Sequence, residues 1–390
     1  MRKNLKPRLI IVLGMHRAGT SAVTRALEVL DVSLGSNLMP ASEHVNPKGF
    51  FEDLEVNALN IDMLGAIGSD WSRVSPISTS QLDLLKQGGF FRHAADLIQA
   101  KCRDTPVFGL KDPRISKLLP FWNQVFDSLE YDVAFVVALR NPLSIAKSLE
   151  KRDGFQASHS FFLWLGHMLE SLRGSAGRPR MVIDYDQLIR SPEVQVKRMA
   201  ATLSLKVDES ALEAYAKEFI DRNLRHTIYT NEELLTESGC PALIKEMFAW
   251  LLQAATEQIS LEDKRFREAS QAWFKEFERL KVSLELIDDQ LGHIDRLHRE
   301  ASDRDKQIAQ LSQSRLTQEA DIVYLNQRVA DQNITISNLT DKTETLEQWG
   351  LRLQRDLNLA RTIELQIMNS KSWRLTRPLR DARRWLTNLK

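Results

Sequence analysis

Two stretches of this chain carry residues whose types and spacing suit the binding of an anion. The first, Gly14-Met15-His16-Arg17-Ala18-Gly19-Thr20-Ser21, follows the apolar run RLIIVLG (8–14) and opens a helical pattern. A glycine turn between a buried strand and a helix gathers backbone amides and the positive end of the helix dipole around a phosphate. Here the amides of Gly19, Thr20 and Ser21 are the donors of the first helical turn, and Arg17 is the cation within the loop. Thr20 stands where a nucleotide triphosphatase would carry its lysine, and no apolar strand ends in an acidic residue placed to hold a metal, since VAFVVAL runs into Arg140. The loop is therefore read as holding a smaller anion through arginine, hydroxyls and amides, without a metal. A P-loop kinase or NTPase with an unusual loop is the alternative.

The second stretch is VVALRNPLSIAKSLEKRDGF (136–155). Arg140 falls at a strand end, Pro142 suits the first position of a helix, and Ser148 follows Arg140 by about two helical turns. The two side chains can converge on one phosphate. In doubly wound sheets ligands bind beyond the carboxyl ends of the strands, where both this arginine and the Gly14 loop are expected.

The elements that must position them are legible as short β-branched runs bounded by turn residues: 8–14, 106–110, 132–140 and 180–184. Helical patterns at 20–31, 81–101, 142–151, 158–173 and 193–203 lie between them. Alternating strands and helices predict an α/β fold with a parallel sheet covered on both faces. This P-loop-type domain is expected over 1–230, followed by a helical extension or linker over 231–265. From there apolar residues recur at three and four, from Leu280 to Ile294 and from Ile308 to Leu357, which predicts a coiled coil over 266–368. The two series differ in phase at Ile308, so a register break is expected near 298–307, and Gln332, Thr343 and Gly350 weaken the second seam. A homo-oligomer is implied, with a parallel dimer as the default and a trimer compatible with the same pattern; the alternative is a long solvated helix folded back on the domain. The segment 369–390 predicts a basic amphipathic helix that lies on a membrane or docks on a protein.

Composition narrows the function. Of 390 residues 43% are hydrophobic and 27% charged, enough for a sizeable core, and the net charge of +1 argues against a general nucleic-acid binder. Cys102 and Cys240 lie in no CxxC spacing and are expected as buried thiols in a reducing compartment. The start of the chain holds too few apolar residues for a signal-peptide core or a membrane span, so the protein is expected in the cytoplasm, or held peripherally at the inner face of the membrane by its tail.

The loop GMHRAGTS together with LRNPLSIAKS (139–148) resembles the two cofactor signatures of sulfotransferases that use 3'-phosphoadenosine 5'-phosphosulfate. VFGLKDPRIS (107–116) resembles the segment carrying that family's central lysine, and RPRMVIDYDQLIRSPEVQVKRMAATLSL (178–205) looks like its closing strand, turn and helix. The resemblance covers about residues 8 to 230 and is nearer to the bacterial and carbohydrate-directed branches. It implies that Arg17, Ala18, Gly19, Thr20 and Ser21 cradle the 5'-phosphosulfate, that Arg140 and Ser148 hold the 3'-phosphate, and that Lys111 sits near the transferring group. The acceptor implied is a hydroxyl of a glycan or lipid-linked saccharide. Pro113 occupies the position where the small-phenol branch carries its histidine, so the base must lie elsewhere. In glycan-directed relatives an early glutamate serves, and Glu52, flanked by Phe50 and Phe51, is favoured over Glu43, His44 and Asp53. The alternative for Glu52 is to cap or charge the first turn of a helix from 53 onward. His16 is a poor base, its direction depending on the loop. Asp112 is expected to be structural, RNLRH (222–226) to lie near the cofactor, and Trp71, Trp122 and Trp164 to fill the core. A coiled-coil scaffold with a degenerate nucleotide domain is the non-catalytic alternative.

Overall fold

The computed structural model describes residues 6–42, 46–221 and 229–387. The chain divides into two units, the first running to Ile294 and the second from Asp295.

In the first unit strand β1 (Arg8–Leu13) leads into α1 (Thr20–Glu28), α2 (Leu54–Ala66), α3 (Thr79–Gln87) and α4 (Phe90–Cys102). Then β2 (Val107–Lys111), α5 (Pro113–Leu129), β3 (Asp132–Leu139), α6 (Pro142–Asp153), α7 (Ala157–Gly174) and β4 (Arg180–Asp184) follow. Four helices come next: α8 (Tyr185–Arg190), α9 (Pro192–Leu203), α10 (Glu209–Ala214) with a π-helical turn at Tyr215–Phe219, and α11 (Asn231–Thr236). Helices α12 (Ala242–Ala255) and α13 (Lys264–Arg279) lead to α14 (Lys281–Asn369), which continues into the second unit.

The expected α/β fold is what is found: four parallel strands in the order β2-β1-β3-β4. Side-chain alternation along each strand explains why the strands read as unbroken apolar runs. Leu9, Ile11 and Leu13 join Phe135, Val137 and Leu139 in the core that holds α5, α7 and α12. Ile10 and Val12 join Ala134, Val136 and Ala138 in the core on the other face, with α1 and α9. Trp122 and Trp164 are fully buried, as expected, whereas Trp71 is half-buried against His16 and Phe155. Both cysteines are buried and free, and burial pushes their thiols up to about 11 for Cys102 and about 12 for Cys240.

Two boundaries differ from the sequence expectation. The helix expected over 81–101 is divided at Gly88-Gly89, where Gly89 takes a left-handed φ of +81° that starts α4. More consequential, 231–265 is no linker and the coiled coil does not begin at 266. Leu243, Ile244, Met247 and Leu251 of α12 and Phe266, Trp273 and Phe277 of α13 are buried in the first core, as is Leu284 in the first turn of α14. Helix α12 packs on β4, and α13 packs on α7 and α12. These residues repeat at three and four because they face the domain's own core, and over two turns that periodicity is like that of a coiled-coil seam. Asp288 fastens that turn, accepting bonds from the Val74 and Ser75 amides at 2.8 Å.

In the second unit α14 continues as one uninterrupted helix through 298–307. It ends where Ser370 caps α15 (Lys371–Leu375), and α16 (Arg377–Thr387) follows. The Arg380 guanidinium lies 3.6 Å from the centre of the Trp373 ring and donates to the Trp373 carbonyl, joining the two short helices. Among the described residues no helix is long and apolar enough to cross a membrane.

The core also holds a titratable liability. His167 of α7 donates Nδ1–H to the Leu163 carbonyl at 2.8 Å, and its Nε2 is buried with no partner among the described residues. Burial pushes its pKa down to about 4, helped by the Lys117 and Arg114 cations. The unfolded chain then takes up this proton first, so the residue's contribution to stability is whole above pH 6.5 and is lost as pH falls toward 4, on the order of 3 kcal/mol. His167→Leu is expected to flatten the fall in thermal midpoint between pH 6.5 and 4.5 in melts at stepped pH; an unchanged slope would contradict this account.

Candidate functional site

Each strand of a parallel sheet ends at the same edge, and here each ending delivers a functional group to one cleft. Its volume is about 320 Å³, within the range of small-molecule sites. Arg17, Gly19, Thr20 and Ser21 reach it from β1, Lys111 from β2, Arg140 from β3 and Tyr185 from β4, while Ser148 enters from α6 and Glu52 from the start of α2.

The sequence folds this way locally because the same device recurs. Lys111-Asp112-Pro113 and Arg140-Asn141-Pro142 each place a cation at a strand end, then an Asx cap, then proline at the first helical position. Asp112 accepts the Arg114 amide at 2.9 Å and Asn141 Oδ1 accepts the Leu143 amide at 2.9 Å. The chain turns at once into a helix, and the cation is left at the edge of the sheet. After β4, Asp184 caps α8 in the same way and sets Tyr185 in the cleft.

The Gly14 loop is clamped from below by α5. The Gly14 amide donates to Ser116 Oγ at 2.9 Å, and the same hydroxyl donates to the Gly14 carbonyl at 3.3 Å. Gly19 adopts a φ of +83°, and a Cβ there would lie 2.1 Å from the Tyr185 ring, so glycine is required both by conformation and by close approach. Helix α1 begins at Thr20; the Ala22 and Val23 amides donate to the Gly19 carbonyl at 3.0 and 3.2 Å, and those of Thr20 and Ser21 stand ahead of this first helical bond. Ala18 is the one loop residue expected in the site that does not line the cleft; its amide is used in the turn, donating to the Met15 carbonyl at 3.1 Å.

The two expected anion stations prove to be in contact. Arg17 Nε donates to Ser148 Oγ at 2.9 Å, and Arg140 Nη1 donates to the Arg17 carbonyl at 2.8 Å. The Arg140 guanidinium also lies 4.9 Å from the centre of the Tyr185 ring. Burial lowers the Arg17 pKa, and the Arg152 and Arg140 guanidiniums lower it further. Like charges held this close repel, and an anion among them relieves the repulsion.

Deeper in the cleft, Glu52 Oε1 is 2.7 Å from Lys111 Nζ, and Asn57 donates to Glu52 Oε2 at 3.0 Å. Burial pushes the Glu52 carboxyl up, the Lys111 ammonium opposing it, and burial likewise pushes Lys111 down. Asp112 lies behind this pair, accepting from Asn57 at 3.2 Å, Asn60 at 3.1 Å and Arg114 at 3.1 Å, which is the structural role expected of it. Asp53, not Glu52, caps α2, and it is paired with Lys101 at 2.7 Å outside the cleft. Glu43, His44 and the segment 222–226 lie outside the described residues. His16 lines the cleft, but its Nε2 is buried without a partner among the described residues, and burial holds its pKa well below the ordinary value. Sequence reasoning missed Arg152, which lines the cleft with its guanidinium 5.2 Å from the Trp71 ring, and gave Tyr185 no individual role. Nothing in EKRDG or DYD separates these residues from surface charge or a turn. Among the described residues no group of three or more His, Cys, Asp or Glu side chains is placed to hold a metal.

No protein-family model matches the chain, and no curated protein sequence matches it. Among solved structures it is similar to the sulfotransferase domain of the Synechococcus PCC 7002 olefin synthase, at 13% identity and a TM-score of 0.34, over 71% of this chain and 98% of that one. The sulfotransferase domain of the curacin biosynthetic pathway stands at 15% and 0.34, over 70% and 98%. A sulfotransferase from Mycobacterium tuberculosis H37Rv stands at 15% and 0.32, over 63% and 77%. These likenesses are slight, and the chemistry of the cleft stands on its own residues.

The buried pair yields a graded prediction. Lys111→Met strands Glu52 without its cation and is expected to cost roughly 3–5 kcal/mol in denaturant unfolding at pH 7. Glu52→Gln keeps an acceptor for Lys111 and should cost clearly less. Equal losses in the two variants would mean that the pair is not the organising contact.

Proposed function

We propose that this chain is a sulfotransferase that moves a sulfonate from 3'-phosphoadenosine 5'-phosphosulfate to a hydroxyl of a glycan or lipid-linked saccharide. The observation that carries the reading is the convergence of Arg17, Arg140 and Ser148 on one side of a cleft whose floor is the first turn of α1. Such a set suits a ligand with two separate anionic groups, one beside the loop amides and one beside Arg140 and Ser148. The four motifs that resemble the family lie in its order along the chain, and all four reach the same sheet edge.

The donor supplies an activated sulfur–oxygen bond. That bond breaks as a new one forms to the acceptor oxygen, and the electron pair stays on the departing phosphate. Arg17, the amides of Gly19, Thr20 and Ser21, and Lys111 are set to stabilise the charge that develops there. Glu52 is the base in this reading: a buried carboxylate whose proton affinity is raised takes the acceptor's proton more readily than an exposed one. Its contact with Lys111 opposes that rise. The membrane-linked acceptor draws support from α16, where Arg377, Arg380, Arg383 and Arg384 fall on one arc of the helix and Leu379, Ala382 and Trp385 on the other.

Calorimetric titration with 3'-phosphoadenosine 5'-phosphate tests the donor site directly. Micromolar binding without metal is expected, lost by at least tenfold in Arg140→Ala and much weaker for adenosine 5'-phosphate. Binding of ATP with magnesium in its place would support a kinase or NTPase, and binding of neither would leave a scaffold. For the tail, sedimentation with phosphatidylglycerol vesicles should exceed that with phosphatidylcholine vesicles and fall at high salt; equal binding to both would remove the lipid-linked acceptor's support.

A further inference from the structure

Helix α14 leaves an apolar stripe in solvent. Beyond Ile294, Ile322, Val329 and Ile336 recur every seventh residue, and Leu325, Leu339, Leu346 and Leu353 fall on a second seven-residue series three positions later. All seven are between 53% and 71% exposed. An apolar stripe sustained on a helix this long, outside any core, is an interface missing its other half.

We propose that residues 322–357, beyond the polar layers of Arg315 and Gln318, pair with a second copy of this chain as a parallel, in-register, two-stranded coiled coil. Three features of the stripe select this arrangement. β-branched residues at the first series with leucine at the second favour two strands over three or four. Within 322–357 Gln332 interrupts the second series and Thr343 and Gly350 the first. Gln332 meets its own counterpart only when the chains are in register, and a slip of one heptad sets it against Leu325 or Leu339.

Charge fits the parallel direction. In a parallel pair the residue just before each first-series position faces the residue five further along in the partner. Along 308–361 this brings together two pairs charged on both sides, Lys342 with Glu347 and Asp356 with Arg361, and both are of opposite sign. No pair of this kind carries like charges.

The full chain, 44.7 kDa by composition, is expected to run at twice that mass in size-exclusion chromatography with light scattering at micromolar concentration. Ile336→Asp with Leu339→Asp should return it to the single-chain mass. A wild-type mass of one or of three chains overturns the proposal. Direction is read by Leu353→Cys under mild oxidation, with the wild-type chain as control, since Cys102 and Cys240 are buried. A disulfide-linked dimer is expected, because position 353 meets itself only in the parallel register; a dimer of normal mass that does not cross-link overturns it. Lys342→Glu should weaken the dimer on the order of fivefold, and adding Glu347→Lys should restore it. Failure of that restoration counts against the facing pairs.

Discussion

A parallel sheet ends all of its strands at one edge, and in this chain every strand end is turned at once into a helix by a capping side chain or a glycine loop. Asp112, Asn141 and Asp184 cap the helices that follow β2, β3 and β4, and Gly19 starts the helix that follows β1. The strand-terminal residues Lys111 and Arg140, and Tyr185 beside its cap, have nowhere to go but the edge. The cleft is thus a consequence of how the strands stop, and its cations are close together because the strands are neighbours about 4.8 Å apart.

That closeness has an electrostatic cost. Burial lowers the Arg17 pKa, and the nearby Arg152 and Arg140 guanidiniums lower it further. The chain offsets part of the cost within the protein: Glu52 neutralises Lys111, the Arg17 carbonyl accepts from Arg140, and Ser148 accepts from Arg17. A polyanion binding there is favoured by relief of the remainder, which is the physical link between a cation-crowded cleft and the nucleotide proposed for it.

The two units answer to different rules. In the first, three-four spacing on α12, α13 and the opening of α14 faces the domain's own core, where Trp273, Phe277 and Leu284 are buried. In the second, the apolar residues of α14 narrow to isoleucine, valine and leucine at heptad spacing, which suits a seam between helices. One continuous helix passes from the first regime to the second.

The sequence by itself determined the strands, the Gly14 loop, the α6 start and the cation Arg140 at the end of β3. All depend on runs of a few residues whose β-branching, glycine or Asx-Pro chemistry acts locally. Only the tertiary structure decided the rest. Glu52 meets Lys111 across 59 residues, the Tyr185 ring settles against Gly19, Asp53 turns away to Lys101, and α12 and α13 close on the core instead of linking it to an arm. The reason is the same in each case. Local sequence sets what a residue can do and where its helix or strand begins, whereas a partner distant in sequence is chosen by which surfaces the packed sheet brings together.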